Sequence, residues 1–235
     1  MMNTEIIKGK VKTVFTTSEP DKVLIQYENR VTAGNGKKID YPEGKGKVCM
    51  DISAFLFKEM EKNGIKTHYL DTFPERIMSC KSVDIIPIEV VVRNVAAGSI
   101  VRQTTLEEGQ IINWPLVEFY LKDDVKDDPL PTEDRIKLMG YGEEIRQFQF
   151  IAREVNAILQ DIFRRIGIIL VDFKLEFGYD SEQNLLLADE LSPDGMRLWK
   201  EGTRESFDKD LFREEKGDIV EAYNFILKEL ERITK

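Results

Sequence analysis

Histidine and cysteine are scarce in this chain: one histidine, His68, and two cysteines, Cys49 and Cys80, among 235 residues. Without a CxxC spacing they build no disulfide framework and indicate no zinc site, and a reducing cytoplasm is the expected compartment. No apolar run approaches the roughly 20 residues that a bilayer-spanning helix needs. The start, Met1-Met2-Asn3-Thr4-Glu5, lacks the basic and apolar regions of a secretory signal. Positive charge is also in deficit, 34 Lys and Arg against 43 Asp and Glu, for a net charge of -9. That balance argues against nucleic acid as a general partner, because a phosphate backbone attracts a basic surface. A small phosphorylated ligand is not excluded, since a local cluster of lysines and arginines can hold one inside an acidic protein. No GxxxxGK[ST] loop, no HRDxxxxN or DFG pattern and no internal repeat occurs.

What is present is an ordinary globular composition, 42% apolar and 33% charged, enough for one large domain or two lobes sharing a cleft. Short β-like runs, 11–15 and 23–27, flank the turn chemistry of Ser18-Glu19-Pro20-Asp21. Two glycine-rich stretches follow, Ala33-Gly34-Asn35-Gly36 and Glu43-Gly44-Lys45-Gly46. Apolar spacing predicts a helix over 51–63 stopped by Gly64. Strand patterns cover 83–93 and 114–121, and an aspartate-rich loop ending in Pro129 and Pro131 comes next. The clearest helix is 143–166, where Ile145, Phe148, Ile151, Val155, Ile158 and Ile162 recur at three- and four-residue intervals. Strands 168–177 and 185–191 form a hairpin, and a helix over 219–233 ends the pattern. This order is α+β rather than strict βαβ alternation. A boundary near residue 80 divides a β-rich lobe, 1–80, from a larger α+β lobe, 81–235, with a ligand cleft expected between them.

The segment 171–178 is the most informative. As a strand it sends Asp172, Lys174 and Glu176 to one side, and Val171, Phe173, Leu175 and Phe177 to the other. A half-exposed edge strand with solvated charges would look the same. The partner run Leu185-Leu186-Leu187-Ala188 is too apolar for a solvent-washed hairpin, however, and it leads into Asp189-Glu190. Pairing brings Glu176 near Asp189. Two carboxylates at close range repel unless a cation separates them, and Mg2+ suits oxygen ligands shared with phosphates. A third segment places Glu89 and Arg93 on one strand face ahead of a small-residue turn bearing Ser99. It suits a phosphate cradle, or alternatively an ordinary Arg93–Glu89 pair. Lys8-Gly9-Lys10-Val11-Lys12 could lie along phosphates or be a solvated face. The turn Ser192-Pro193-Asp194-Gly195-Met196-Arg197 holds Asp194 and Arg197 at the cleft mouth.

Taken together, these segments resemble the SAICAR synthetases (phosphoribosylaminoimidazole-succinocarboxamide synthases) of bacterial type. Pro87 to Ser99 and Leu170 to Gly178 are similar to two signatures of that family, Asp189 to Trp199 is similar to the stretch that follows the second, and Gly9 to Phe15 and Phe212-Arg213 also match. The resemblance implies a β-rich ATP-binding lobe beside a larger α+β lobe and a homodimer. Its ligands would be ATP, Mg2+, L-aspartate and carboxyaminoimidazole ribotide. By position, Lys10 and Lys12 look like phosphate ligands of the nucleotide, and Lys81 and Lys122 like further nucleotide contacts. Glu176 and Asp189 look like the metal carboxylates. Arg93, Ser99 and Arg197 resemble the ribotide-phosphate site. Lys174, Asp194 and Arg213 resemble contacts to the ribotide or to the reacting groups. The implied route activates a carboxylate as an acyl phosphate, which needs no side-chain nucleophile. Two positions depart from the family pattern: Asn29-Arg30, where an acidic residue is common, and Cys49-Met50, where paired asparagines are common. A small-molecule kinase and a silent nucleotide-binding protein are the competing readings.

Overall fold

The computed structural model describes residues 4–33, 36–126 and 128–233. Gly34 and Asn35 of the first glycine-rich stretch, Asp127 of the acidic loop, and Met1, Met2 and Asn3 lie outside them. The chain begins with β1 (Glu5–Lys8), β2 (Lys12–Thr16) and β3 (Lys22–Tyr27). A small hairpin, β4 (Val31–Ala33) with β5 (Lys38–Asp40), leads into α1 (Lys45–Lys62), followed by β6 (Tyr69–Phe73) and β7 (Ile77–Lys81). Apart from the β4–β5 hairpin, these strands form an antiparallel sheet in the order β1-β2-β3-β7-β6. The second sheet comprises β8 (Asp84–Val95), β9 (Ile111–Leu121), β10 (Ile168–Tyr179), β11 (Leu185–Ala188) and β12 (Met196–Lys200), with α2 (Ser99–Gln103), α3 (Glu133–Leu138) and α4 (Gly142–Arg165) between β8 and β10. Two helices follow, α5 (Asp210–Arg213) and α6 (Ile219–Arg232). No helix among the described residues is long and apolar enough to cross a membrane.

Several boundaries differ from the sequence expectation, each for a local reason. Helix α1 starts at Lys45, six residues earlier than the apolar spacing predicts, because the second glycine-rich stretch is its entry rather than a loop. Gly44 enters with φ 85. At Gly46 a Cβ would lie 2.8 Å from the Tyr27 carbonyl oxygen and 2.9 Å from the Glu28 carbonyl carbon, so only glycine lets the helix pack this close to the turn after β3. Strand β11 stops at Ala188, three residues short of expectation, because Asp189 turns into the left-handed region at φ 65. Helix α6 starts where predicted: the Asp218 carboxylate accepts from the backbone N–H groups of Val220 (2.8 Å) and Glu221 (3.2 Å).

Strand β10 is the spine of the second sheet. One edge pairs with β8 from Asp172 to Tyr179. The other edge is shared: β12 pairs with its first half, Ile168 to Phe173, and β11 with its second half, Glu176 to Tyr179. The chain therefore leaves the sheet at Ala188 and rejoins it at Met196, and the excursion 189–195 lies beside Lys174. Helix α4 covers the opposite face, where Phe148 stacks on Phe177 with ring centroids 4.8 Å apart. Phe173, Leu175 and Phe177 join this main core. Val171 does not. A register irregularity between Leu170 and Asp172 breaks the alternation, and Val171 packs into a small separate cluster with Val95, Ala97 and Trp199. The main core runs through both sheets and includes α1 and α6.

Candidate functional site

The bulge in β10 has a functional consequence, since it sets Asp172 facing two arginines. Arg93 on β8 donates from Nη1 to Asp172 Oδ2 (2.9 Å), from Nε to Glu118 Oε2 (2.6 Å), and from Nη2 to Ser99 Oγ (2.8 Å) and Tyr120 OH (3.2 Å). Arg197 on β12 donates from Nη1 to the same Asp172 oxygen (2.8 Å) and from Nε to Asp210 Oδ2 (3.0 Å). Arg213 closes the group through Asp210. The alternative Arg93–Glu89 pair does not form; Glu89 accepts from Lys174 Nζ at 2.9 Å instead. Burial raises the Asp172 carboxyl above its ordinary range, with Arg197 and Arg93 pulling against it. Three guanidiniums held by three carboxylates, Asp172, Glu118 and Asp210, line one wall of a cavity of about 460 Å³ that also meets Ser99. The turn is glycine-dependent: a Cβ on Gly98 (φ 67) would lie 2.6 Å from Arg197 Nη2.

The other end of the cleft is built from lysines and carboxylates. Glu176, 4% exposed, receives Lys122 and Lys174, the latter at 2.5 Å. Asp189 receives Lys12, whose Nζ also lies 3.2 Å from Glu190, and Lys174 Nζ stands 3.8 Å from Asp189 Oδ2. Glu176 and Asp189 thus face a common ammonium. Burial alone would raise the Asp189 carboxyl, but Lys12, Lys174 and Lys122 outweigh it and hold it well below the usual range. Lys12 and Lys174 respond in kind: burial pulls them down, and the surrounding carboxylates hold them above their ordinary values. This end encloses about 670 Å³ and is lined also by Lys10. It shares Glu89, Asp128, Lys174, Asp194 and Gly195 with the arginine end, so the two form one continuous cleft.

A cation could be seated here, though not in an all-protein cage. No group of three His, Cys, Asp or Glu side chains capable of holding a metal occurs among the described residues. Two carboxylates suit Mg2+ when ligand phosphates and water supply the remaining oxygens.

Eleven of the twelve site residues singled out from the sequence line this cleft. The exception is Lys81. It lies at the end of β7 in a separate cavity of about 730 Å³ beside Lys66 and Tyr69, with Nζ 4.0 Å from Asp180. Asp194 is placed more deeply than a residue at the cleft mouth: it accepts from Lys45 and from Tyr223 OH (2.9 Å), a network linking α1, the 189–195 excursion and α6. Sequence patterns alone missed Lys45, which is 1% exposed, along with Tyr223, Glu118, Asp210 and Lys209. Each depends on segments far apart in the chain. The two glycines around Lys45 were the one visible hint. Asp208 was also missed: fully buried, it accepts from the backbone N–H groups of Leu198 and Asp210, both at 2.7 Å. Burial, with Asp210 beside it, pushes its carboxyl up to about 7. A further cavity of about 760 Å³, lined by residues such as Asn113, Gln160 and Trp199, contains none of the predicted site residues.

Lysines fanned around paired carboxylates, continuous with an arginine-lined phosphate-sized pocket, define a nucleotide-dependent enzyme that works on a second anionic ligand. Within that class, the chain belongs to the SAICAR synthetase family, whose model matches residues 5–230. It is 46% identical over 227 residues to the phosphoribosylaminoimidazole-succinocarboxamide synthase of Methanocaldococcus jannaschii, covering 96% of this chain and 93% of that protein. Among solved structures it is similar to a SAICAR synthetase in complex with ADP, at 40% identity and TM-score 0.93, with 96% of this chain and 97% of that chain covered. The synthase from Ehrlichia chaffeensis is similar at 37% identity and TM-score 0.94, over 97% of this chain and 98% of that one.

Proposed function

We propose that this chain is an ATP-dependent ligase that condenses carboxyaminoimidazole ribotide with L-aspartate, releasing SAICAR, ADP and phosphate in purine synthesis. One observation carries the assignment of the site: a lysine-and-carboxylate end and an arginine end meet in a single cleft, and Lys174 stands where they join. Family membership supports the ligase and leaves the kinase and the silent binder without support.

In this reading Lys10, Lys12 and Lys122 neutralise the nucleotide phosphates. Lys81 lies outside the cleft and enters as a nucleotide contact on the resemblance alone. Glu176 and Asp189 would hold Mg2+, which when bound screens the charge of the phosphate oxygens. Arg93, Ser99 and Arg197 fix the ribotide phosphate, with Arg213 beside them. That anchor aims the ribotide carboxylate back toward Lys174, which offsets its charge as it approaches the nucleotide. A carboxylate oxygen takes the terminal phosphoryl group and ADP leaves, giving an acyl phosphate. The aspartate amine then attacks the acyl carbon, phosphate departs with the C–O electron pair, and the amine loses a proton. Asp194, locked by Lys45 and Tyr223, lines the passage between the two ends and holds its wall in place. The protein's contribution is positioning and counter-charge.

The resemblance further supports a homodimer, for which Ile111 and Trp114, exposed on the edge strand β9, offer apolar surface. The two buried free thiols fit a cytoplasmic location. The test is ADP release from Mg-ATP and carboxyaminoimidazole ribotide, measured with and without L-aspartate. Turnover should require aspartate and fall by about a hundredfold or more in Glu176→Gln and Asp189→Asn. ADP release indifferent to aspartate would refute the ligase.

A further inference from the structure

The β4–β5 hairpin is a two-stranded sheet of its own, and among the described residues it pairs with neither large sheet. Its first strand faces inward: Val31 is fully buried, and Thr32 lines the lysine-and-carboxylate end of the cleft. Ile39 and Asp40 on the second strand are exposed. Lys38, on that same strand, reaches away from the hairpin. Its Nζ donates to the Phe212 carbonyl oxygen (2.7 Å) and to Glu215 Oε1 (2.8 Å), and lies 4.6 Å from the centre of the Phe212 ring.

These contacts land on α5 and the turn just after it, and α5 reaches both ends of the cleft. Lys209, its N-cap, lines the lysine end; Arg213 lines the arginine end and is held by Asp210, which also accepts from Arg197 Nε. A four-residue helix cannot hold itself, since one turn forms too few internal bonds to offset the backbone entropy it fixes. Asp208 fastens its start through the Asp210 N–H. Lys38 fastens its end, bonding a terminal carbonyl that has no partner within the helix. Glu215 follows at φ 57, a left-handed position where glycine is favoured, and its carboxylate takes the same ammonium. An ion pair with the largely exposed Glu215 would by itself contribute little. The carbonyl bond and the half-buried Phe212 ring make this contact more than a solvated pair.

We propose that Lys38 is a positioning residue for the reaction: it clasps the β4–β5 hairpin to the end of α5 and so fixes the spacing between the two ends of the cleft. One side chain thereby ties Thr32, at the nucleotide end, to Arg213, at the ribotide end. The part played in the reaction rests on the ligase reading above, whereas the clasp itself does not. It also gives a task to Phe212, one half of the Phe212-Arg213 pair that matches the family.

Amide hydrogen exchange on the ligand-free full chain reads the clasp without any substrate, comparing wild type with Lys38→Met and Lys38→Arg. In Lys38→Met, exchange should quicken about fivefold or more at 31–33, 38–40 and 211–214, while α4 and α6 stay within about twofold of wild type. Lys38→Arg, which keeps a donor and the charge, should recover most of the protection. In steady-state kinetics, kcat/KM for ATP and for the ribotide should both fall about tenfold in Lys38→Met and recover in Lys38→Arg. Unchanged exchange at 211–214 would overturn the clasp, as would a uniform rise over the whole chain, which marks general destabilisation. Faster exchange there with unaltered kcat/KM would overturn the positioning role. Should Lys38→Met fail to fold, Glu215→Gln, a change at an exposed position, has to loosen the same segments or the clasp is overturned. Wild-type protein lacking aspartate-dependent ADP release would instead overturn the ligase reading and leave the exchange result standing, so the two failures are distinguishable.

Discussion

At the scale of single residues, the cleft depends on positions where chemistry and backbone geometry coincide. Asp189 is a non-glycine residue at φ 65, a conformation that costs a β-carbon-bearing residue about 1 kcal/mol or more. The turn points its carboxylate at Lys12 and Lys174 instead of continuing β11. Gly98 illustrates the opposite constraint, a position where a side chain is excluded. Its φ of 67 and the 2.6 Å approach of Arg197 leave no room for a methyl group. Gly98→Ala should therefore displace Arg197 from Asp172, raise the ribotide KM about tenfold and lower stability by about 1–3 kcal/mol. Kinetics together with urea unfolding would check both effects, and an alanine variant with unaltered ribotide KM would count against the arginine pocket as the phosphate site.

At the scale of elements, β12 and α5 carry Arg197, Asp210 and Arg213, and Asp208 fastens one to the other. Its carboxylate takes one backbone N–H from each side of the joint, at Leu198 and Asp210. Removing a buried acceptor strands two buried donors at a cost of about 1–3 kcal/mol. Asp208→Ala should lower stability by that order and raise the ribotide KM more than the ATP KM, because the slackened joint belongs to the arginine end. Equal increases in both would point to general loosening. Strand β10 makes the corresponding point for the lysine end. Because β11 and β12 share one of its edges, the intervening excursion has to leave the sheet beside Lys174, bringing Asp189 and Asp194 there.

At the scale of the whole molecule, buried titrating groups tie stability to pH. His68 is buried against Phe57 and Cys80, and burial lowers it to about 4. The folded state holds it neutral, whereas the unfolded chain protonates it below about 6.5. Its contribution is thus fully present above about pH 6.5 and is lost as pH falls toward 4. Asp208 runs the other way: its raised carboxyl favours the folded state at low pH, and that contribution disappears as pH rises through about 7. Between pH 7 and 5, His68→Phe should remove the histidine share, so wild type should lose about 2 kcal/mol relative to the variant. Urea unfolding at the two pH values measures this directly, and parallel changes in both proteins would show that His68 is not the group responsible.

Much of this architecture was legible in the sequence because it rests on local periodicity. The 3.6-residue spacing of Ile145, Phe148 and Val155 marked α4, and the charged face of β10 placed Asp172, Lys174 and Glu176 together. Motif resemblance located Arg93, Ser99 and Arg197 as one group. Periodicity could not reveal the irregularity that separates Val171 from Phe173, since a bulge depends on what the neighbouring strands require. Nor could it pair Arg93 with Glu118 rather than Glu89, or join Lys45 to Asp194 across 149 positions of sequence. Side-chain type and spacing determined which faces carry charge. Which charges meet was decided only by the packing of the two sheets, because an ion pair forms through space and the chain's order does not record that distance.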